Sequence, residues 1–415
     1  PLKATKRWLD VIPPCGINSK AEEPLSPAPP PAPPLPPCSH PPTLAEGWGV
    51  SMGGRGKNRS RGLAEAYRAA VLLHLLTGWG YGRVWRVLEE SGYEVSINTI
   101  RHWFHHGKKP YFTPSSFEKA LFYHRAYELA VKAKAKHPEW GHKRIATYIS
   151  KQLPVRVPPM TVYYWITGKS RPNITRIKPC PGLGYLTGVL VGDYARSRKG
   201  KGLHVKDREF AEYYAERYGE VTGVKLNVNS SDDGYWRTYE NAGWLRELWY
   251  SGLWRIVAYA YPLEFLKGLY DSEGCISPGI SWKKRELHSV TISLAIGVKE
   301  VAVCAEEILN RQGFKTSRRY KPPQIGEIKN KVIVFGECWE IKFYGWDNLL
   351  RFARLIGFRE GKRRRRLELL VKIRNLPPRK RFEEWTKRYV KVRGRWVERA
   401  PNPRAINQIP NKIHR

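Results

Sequence analysis

The sequence has few cysteines, few acidic side chains and no long hydrophobic run. None of its six cysteines stands in a C-x-x-C pair, so their spacing indicates neither a zinc site nor a redox motif. We expect reduced thiols in an intracellular protein, unless the source is a thermophile that pairs them. Because we recognise no run of about twenty apolar residues and no secretory signal, we predict a cytoplasmic protein of prokaryotic or archaeal origin, without a membrane-spanning helix.

Basic residues, in contrast, are abundant. Lysine and arginine number 73 against 37 aspartates and glutamates, which gives a net charge of +36 over 415 residues. Since 41% of the residues are hydrophobic and 12% aromatic, the composition indicates two or three folded domains with basic surfaces. Such a charge favours a polyanion, with nucleic acid as the first candidate and an anionic membrane surface as the second.

The two ends of the chain differ from its middle in composition. Residues 24–42 contain eleven prolines, so we expect residues 1–51 to form a disordered leader, which need not belong to the native product. Residues 376–415 are basic and interrupted by prolines. They predict a flexible phosphate-binding extension or a disordered end, with one helix at about 382–390.

The same helical sequence pattern occurs twice after the predicted leader. The segments "SINTIRHWFHHGKKP" and "PPMTVYYWITGKSRP" both place a threonine four residues before a tryptophan and then reach glycine, lysine and proline. Each follows a longer amphipathic helix, so residues 52–112 and 113–178 are predicted to be two helix-turn-helix units. Arg101, Lys108 and Lys169 are the candidate DNA contacts. The alternative is a pair of small helical bundles that only pack against the rest of the chain.

Beyond residue 178 the hydrophobic period changes to that of strands. "HSVTISLAIG" and "VKLNVN" (residues 224–229) alternate apolar and polar residues, as half-buried antiparallel strands do. Helical segments are predicted between and after them, at about 207–219, 241–250, 299–312, 346–355 and 362–373. The order of helix, strands, helix, strands and helix occurs twice. The sequence therefore predicts an α+β region with two similar halves, residues 179–262 and 263–375.

Each half begins with an apolar run that ends in an acid. In "LTGVLVGDY", Gly188 and Gly192 are four residues apart, and in "LKGLYDSEG" Gly268 and Ser272 have the same spacing. Small residues at this spacing clear a strip along a helix, so two such helices can approach closely. We therefore predict that the two runs pack side by side.

Such packing brings Asp193 and Glu273 to the same end of the helix pair. Two neighbouring carboxylates repel unless a cation lies between them, and a hard divalent ion such as Mg²⁺ would bind both and activate water. The carbonyl oxygens of Gly192 and Ser272 could complete its coordination. The alternative, two ordinary helix-end acids, is disfavoured because the helix dipole opposes a carboxylate there.

These two runs resemble the paired LAGLIDADG motifs of single-chain homing endonucleases. The second run is the closer match, whereas the first has Tyr194 in place of the final glycine. The resemblance implies a tandem αββαββα pseudo-dimer, in which two antiparallel sheets form a saddle over double-stranded DNA. It also implies that Asp193 and Glu273 bind Mg²⁺ and cleave both strands. Lys362 would be a basic residue of the active centre, with Arg255 as a weaker counterpart in the first half.

The same resemblance implies a function and a set of DNA contacts. We expect a monomeric, intron-encoded endonuclease that makes a double-strand break in a long asymmetric target, with no membrane partner. The candidate contacts in or beside the sheets are Lys225, Asn227, Arg237, Lys283, Lys284, Arg285, Arg318, Arg319 and Lys342. The alternatives are a maturase that binds intron RNA and a transcription regulator that binds DNA without cutting it. An intein is disfavoured by the absence of the residues that splicing needs.

Overall fold

The computed structural model describes residues 57–105, 114–153, 155–192, 202–231, 233–240, 243–328, 331–392 and 395–399. The predicted leader, Lys108, Asp193 and residues 400–415 lie outside them. The first region is helical, with α1 (Lys57–Thr77), α2 (Tyr81–Glu90), α3 (Ile97–His105), α4 (Ser116–Lys136), α5 (His142–Gln152) and α6 (Pro159–Ile166). Helix α3 begins directly after Ser96, and α6 begins directly after Pro158.

The tryptophans of the repeated pattern pack the six helices into two groups of three, α1–α3 and α4–α6. Trp103 of α3 is 4% exposed and meets Tyr67 of α1 edge to face, with ring centroids 5.2 Å apart. Trp165 of α6 is 3% exposed and meets Tyr123 and Tyr127 of α4 in the same way. The sequence repeat therefore corresponds to two similar three-helix units, in which a buried tryptophan of the last helix anchors it to the first.

A buried carboxylate joins the two units. Glu118, in the first turn of α4, is fully buried and accepts hydrogen bonds at 2.6 Å from both Nε and Nη2 of Arg68 in α1. It also accepts one from the Ser115 backbone N–H at 2.7 Å, and the Ser115 hydroxyl accepts one from the Glu118 N–H. This reciprocal capping box fixes the start of α4.

Replacing Glu118 with glutamine is expected to lower the free energy of unfolding by about 2–3 kcal/mol, because it leaves a largely buried guanidinium without its carboxylate. Urea-induced unfolding followed by circular dichroism measures the loss. The matched control is Glu128→Gln, also on α4, whose pair with Arg176 is more exposed and should contribute less than about 1 kcal/mol. Equal losses in the two variants would contradict the expectation.

The next region contains a small sheet and the helices around it. Its elements are α7 (Pro181–Gly192), β1 (His204–Val205), α8 (Arg208–Thr222), β2 (Val228–Ser230), β3 (Trp236–Thr238), α9 (Gly243–Tyr250) and α10 (Trp254–Ala260). The strands are antiparallel in the order β1-β3-β2. The strand predicted at 224–229 is wrong over its first part, since pairing with β3 starts only at Val228 and Val224 is 50% exposed.

A larger sheet follows. The elements are α11 (Pro262–Glu273), β4 (Gly274–Ser281), β5 (Glu286–Ile296), α12 (Lys299–Arg311), β6 (Ser317–Lys321), β7 (Gln324–Ile328), β8 (Lys331–Phe335), β9 (Cys338–Tyr344), α13 (Trp346–Leu355) and α14 (Gly361–Ile373). Four antiparallel strands have the order β4-β5-β9-β6, and β7 and β8 form a separate hairpin. The alternation predicted in β5 is confirmed: Val290, Ile292, Leu294 and Ile296 are all buried.

The fold is thus a mixture of helices and antiparallel sheets, as predicted at the level of α+β class. The second half has the predicted order of helix, two strands, helix, strands and helix. In the first half, one strand is described between α7 and α8, and residues 193–201 lie outside the described part. Within the described residues, every helix is too short or too polar to cross a membrane, and Cys180, Cys275, Cys304 and Cys338 form no disulfide.

The prediction of a flexible or disordered extension is wrong for residues 378–392 and 395–399. They form α15 (Pro378–Arg388) and an antiparallel hairpin of β10 (Tyr389–Val392) and β11 (Arg395–Glu398). Phe382, Trp385 and Tyr389 are buried, and Arg381 Nη1 donates a hydrogen bond to the Leu287 carbonyl in β5. Three buried aromatic side chains give this basic segment the apolar contacts that order it.

The three-helix units pack on the first half of the α+β region. Phe117 of α4 stacks on Trp244 of α9, with ring centroids 6.1 Å apart. The Ser116 N–H donates to Glu247 Oε1 at 2.8 Å, and the Tyr261 hydroxyl donates to the Leu76 carbonyl oxygen. The described helical and α+β regions therefore share one continuous core.

Candidate active site and nucleic-acid interface

Helices α7 and α11 lie against each other along their glycines. A Cβ atom on Gly188 would overlap the Phe265 carbonyl and lie 2.7 Å from the Leu269 nitrogen. A Cβ atom on Gly268 would overlap the Tyr185 carbonyl and lie 2.9 Å from the Val189 nitrogen. Equivalent residues of the two runs are 80 positions apart, so the contact is reciprocal and has approximate two-fold symmetry. The predicted close approach of the two runs is confirmed.

The glycine contact continues to the ends of both helices. A Cβ atom on Gly192 would lie 2.6 Å from Ser272 Cβ and 3.3 Å from Glu273 Cγ. Glu273 is the last residue of α11 and is half-buried. The acid of the second run therefore lies beside the end of the first run. Asp193, the residue bonded to Gly192, lies outside the described residues.

A second carboxylate of the same run, Asp271, is buried at 2% exposure. Its Oδ2 accepts a hydrogen bond from the Tyr185 hydroxyl at 2.9 Å, and its Oδ1 accepts from the backbone N–H groups of Arg359 at 2.6 Å and Glu360 at 3.2 Å. Burial raises the pKa of Asp271 to about 6, although these donors act in the opposite direction. Asp271 thus connects α11 to α7 and to the start of α14, a role that sequence reasoning missed.

An arginine of α14 lies at the end of α11. The Arg363 guanidinium donates hydrogen bonds to the backbone carbonyls of Tyr270 at 3.2 Å, Asp271, and Ser272 at 3.4 Å. The Tyr270 carbonyl also accepts the Gly274 backbone N–H, whereas the last carbonyls of a helix in general lack a partner within it. Arg363 supplies a further donor to this end from outside. The predicted basic residue of the centre was its neighbour Lys362, whose side chain is exposed. Both Lys362 and Arg363 are basic residues at the start of α14, so the sequence did not distinguish between them.

The donors at this end suit a hard cation. The Glu273 carboxylate and the carbonyl oxygens of Gly192 and Ser272 are oxygen ligands of the kind that Mg²⁺ prefers. The Ser272 carbonyl also accepts the hydrogen bond from Arg363, which engages one of its two lone pairs. Among the described residues, no three His, Cys, Asp or Glu side chains cluster as metal ligands. Asp193, the predicted second carboxylate, lies outside the described part.

One face of the larger sheet is polar, and most of its residues are half-buried or exposed. Strand pairing places on this outer face Cys275, Ser277, Thr291, Ser293, Arg319, Lys321, Cys338, Glu340, Lys342 and Tyr344. Glu340 forms ion pairs with Lys321 at 2.9 Å and Lys342 at 2.8 Å. Within the described sheet, the cations on this face outnumber the single acid, so the face is basic.

The predicted sheet contacts do not all lie on this outer face. Arg319 and Lys342 do, but Arg318 pairs opposite the buried Ile341, and its Nη1 lies 2.8 Å from Glu306 Oε2 in α12. Successive side chains of a strand point to opposite faces of the sheet. Arg318 therefore faces the helices, whereas Arg319 lies on the outer face. The predicted contacts at positions 283–285 are exposed in the turn between β4 and β5.

In the smaller sheet, Arg237 lies in β3 and pairs with Asp233 at 2.7 Å. Lys225 and Asn227 are exposed but precede β2 instead of lying in a strand. In the three-helix units, Arg101 of α3 is exposed, and Lys169, just beyond α6, is exposed with Nζ 5.3 Å from the Tyr163 ring. These residues are spread over several elements and are not brought to one point.

Arg255 was a weaker candidate for a basic residue of the centre in the first half. It is 8% exposed in α10 and lines a small cavity together with Leu73 of α1 and Leu88 of α2. It therefore lies where the three-helix units pack on the α+β region. Since α10 precedes the start of α11, whereas Glu273 is at its end, Arg255 does not belong to the centre.

Comparison with protein families gives no match. An uncharacterized protein of Methanocaldococcus jannaschii is 22% identical over 253 residues, which cover 56% of this chain and 88% of that protein. Among solved structures, mesophilic variants of the homing endonuclease I-DmoI are 15% identical, with 42% of this chain and 96% of that chain covered and a TM-score of 0.29. The N-terminal LAGLIDADG domain of DUF199/WhiA is 14% identical, with 43% and 81% covered and a TM-score of 0.26. What this chain does is therefore inferred from its own residues.

Proposed function

We propose that the chain is a metal-dependent endonuclease of the LAGLIDADG type that cleaves both strands of DNA. The observation that carries this proposal is the reciprocal glycine contact between α7 and α11, because it brings Gly192 beside Ser272 and Glu273. Asp193 directly follows Gly192 in the chain. If Asp193 lies beside Glu273, the pair would suit a reaction that must be carried out once on each DNA strand.

The outer face of the larger sheet is the proposed DNA surface. It carries Arg319, Lys321 and Lys342 for phosphates, and small polar side chains such as Ser293 that can contact base edges. Among the described residues, the strands of the smaller sheet are shorter than those of the larger one, so the two halves would contact different lengths of DNA. This asymmetry supports a long, asymmetric target that is bound by one chain.

The residues at the helix ends have distinct proposed roles. Asp193 and Glu273 would hold Mg²⁺, with the carbonyls of Gly192 and Ser272 as further ligands. Bound there, the metal would lower the pKa of a bound water and polarise a phosphoryl oxygen. Arg363 holds the last turn of α11, and with it the position of Glu273. Lys362, exposed one residue earlier, is proposed to neutralise phosphate charge.

The three-helix units are proposed to act as helix-turn-helix modules. The exposed side of α3 carries Asn98, Arg101 and His102, while its buried side carries Ile100 and Trp103. A helix held by one face and polar on the other can enter a major groove. Lys169, at the corresponding end of α6, and Lys108 are the proposed phosphate contacts.

The proposed function is tested by cleavage of a plasmid. The plasmid carries the DNA site into which this gene's intron would insert, without the intron. The full chain should cut it at one place with Mg²⁺ and not with EDTA, and Asp193→Asn and Glu273→Gln should each lower the rate by at least about 1,000-fold. Glu368→Gln, which changes an exposed carboxylate on α14, is the matched control and should cut normally. Cutting that survives in both acid variants would refute the assigned centre.

Two further functions remain as candidates because the first motif departs from the second. Val191 stands where the second run has Asp271, and Tyr194 stands where it has Gly274. A degenerate first half favours a regulator that binds DNA without cutting, or a maturase that binds intron RNA. Tight metal-independent binding of duplex DNA without cleavage would support the regulator, and stimulation of intron splicing would support the maturase.

The two neighbouring arginines of β6 make a sharp test of the DNA surface. Arg319→Ala should weaken duplex binding about three- to tenfold and reduce the slope of affinity against salt by about one. Arg318→Ala should leave the slope unchanged, because that side chain faces Glu306 of α12. Fluorescence anisotropy with labelled duplex at several salt concentrations measures both. An equal fall in slope for the two variants would be inconsistent with the outer face as the DNA surface.

A further inference from the structure

An aromatic and basic cleft lies at the far end of the larger sheet. It opens between the turn that joins β4 to β5 and the segment of α15 and β10, and its volume is about 740 Å³. Its aromatic lining includes Trp282 and Tyr389. Trp282, the first residue of the turn, is 51% exposed, whereas most tryptophans of the described chain are buried or half-buried.

The ring of Trp282 is supported from behind. Trp396 of β11 stacks on it with ring centroids 5.8 Å apart and an interplanar angle of 18°, and Phe382 of α15 meets it edge to face at 5.6 Å. These contacts fix the orientation of the ring while about half of its surface stays open to solvent. A rigid aromatic surface of this kind is a stacking platform for another planar ring.

The charge of the cleft indicates what that ring belongs to. The cationic residues in its lining are Arg285, Lys387, Lys391 and Arg399, and no acidic side chain lines it among the described residues. Lys387 is paired with Glu384 at 2.5 Å. For Arg285, Lys391 and Arg399, the ion pairs of the described residues include no carboxylate partner. A planar ring next to anionic groups is the chemistry of a nucleotide.

We propose that this cleft binds an unpaired nucleotide of single-stranded nucleic acid, with its base stacked on Trp282 and its phosphates near Arg285 and Lys391. A base within a duplex has both faces covered by its neighbours, so only an unpaired base can use the platform. β4 separates Trp282 from Glu273, and its eight residues span about 26 Å at the rise of a strand. The cleft is therefore a separate site from the proposed centre of cleavage.

Binding of labelled oligonucleotides to the full chain tests this proposal without any measurement of cleavage. The probes are oligothymidylate and oligouridylate of about twelve nucleotides, and a duplex of equal length. Trp282→Ala should weaken single-strand binding by about five- to a hundredfold, the range that follows from stacking of one base, and leave duplex binding unchanged. Trp282→Phe should retain most of the affinity, and tighter binding of oligouridylate would identify RNA as the preferred source.

Two further variants separate stacking from a general loss of structure. Lys391→Glu, on the exposed side of β10, should weaken single-strand binding and reduce the slope of that affinity against salt concentration. It should leave the free energy of unfolding unchanged. Tyr250→Ala removes a side chain that is 81% exposed and lies outside the cleft, and it should have no effect.

Unchanged single-strand affinity in Trp282→Ala would overturn the proposal. An equal loss for single strands and duplex would also overturn it, by making the cleft a duplex contact. A full chain that binds no single strand would do the same. None of these outcomes bears on cleavage by Asp193 and Glu273, so this site and the proposed function can fail independently.

Discussion

Gly188→Ala is expected to lower the free energy of unfolding by about 3 kcal/mol or more, a large part of the stability of an ordinary domain. The added methyl would overlap the Phe265 carbonyl and lie 2.7 Å from the Leu269 nitrogen. Both obstacles are backbone atoms of a helix, which cannot turn away as a side chain can. Relief requires α7 and α11 to separate along their whole contact.

Gly268→Ala should behave in the same way, because it meets the backbone of α7 at the symmetric position. The double variant should have no cooperative unfolding transition. Gly219→Ala is the matched control: Gly219 lies within α8, and its Cβ would be 3.6 Å from the nearest heavy atom, the Val224 carbonyl oxygen. Alanine there should stabilise the protein by about 0.5–1 kcal/mol, since glycine is the poorer helix former.

Urea-induced unfolding followed by far-ultraviolet circular dichroism measures all four proteins. If Gly188→Ala and Gly219→Ala had the same midpoint, the close approach of α7 and α11 would be wrong. The proposed DNA centre would then lose its basis as well, because Gly192 and Glu273 lie side by side only if the helices meet along these glycines.

The parts of the fold that sequence predicted best have strong local signals. The predicted helix at 346–355 has the observed bounds of α13, because its apolar residues repeat with a helical period. The glycine spacing in the two apolar runs predicted a contact between helices 80 residues apart, since close approach needs small residues on both sides. The alternation of apolar and polar residues also predicted β5 correctly, because helices bury one face of that strand.

Sequence failed where the outcome depends on tertiary neighbours. Val224 and Leu226 alternate with polar residues as a strand would, yet no described strand pairs with that segment and Val224 stays exposed. Residues 378–392 are rich in basic side chains, but Trp385 and Tyr389 are buried there and order the segment. Composition cannot show this, because whether a few aromatic side chains find a surface to pack on is decided by the rest of the fold.

The choice between Lys362 and Arg363 is of the same kind. Both are basic and stand at the start of α14, and the sequence favoured Lys362 through a family resemblance. Only the approach of α14 to α11 distinguishes them: Arg363 reaches the carbonyls of Tyr270, Asp271 and Ser272, whereas Lys362 is exposed. The two residues can therefore be tested against each other.

Arg363→Met is expected to reduce cleavage of bound DNA about 100-fold and to change duplex affinity little, if the proposed function holds. Methionine keeps the apolar stem but removes the guanidinium that donates to the last carbonyls of α11, so Glu273 loses its fixed position. A displacement of about 1 Å at a reacting centre has this effect on rate, and loss of a group that orients a metal ligand weakens metal binding about 10- to 100-fold. Single-turnover cleavage at several Mg²⁺ concentrations separates the two effects.

Arg363→Lys should recover only part of the rate, because an ammonium group does not reproduce the planar fork that reaches three carbonyls. Lys362→Met is the matched control, one residue away on the same helix. If Arg363 positions Glu273, higher Mg²⁺ should partly restore cleavage in Arg363→Met, while Lys362→Met should show weaker phosphate binding with an unchanged Mg²⁺ requirement. The opposite pattern, in which only Lys362→Met loses the chemical step, would make Lys362 the basic residue of the centre and reduce Arg363 to a helix cap.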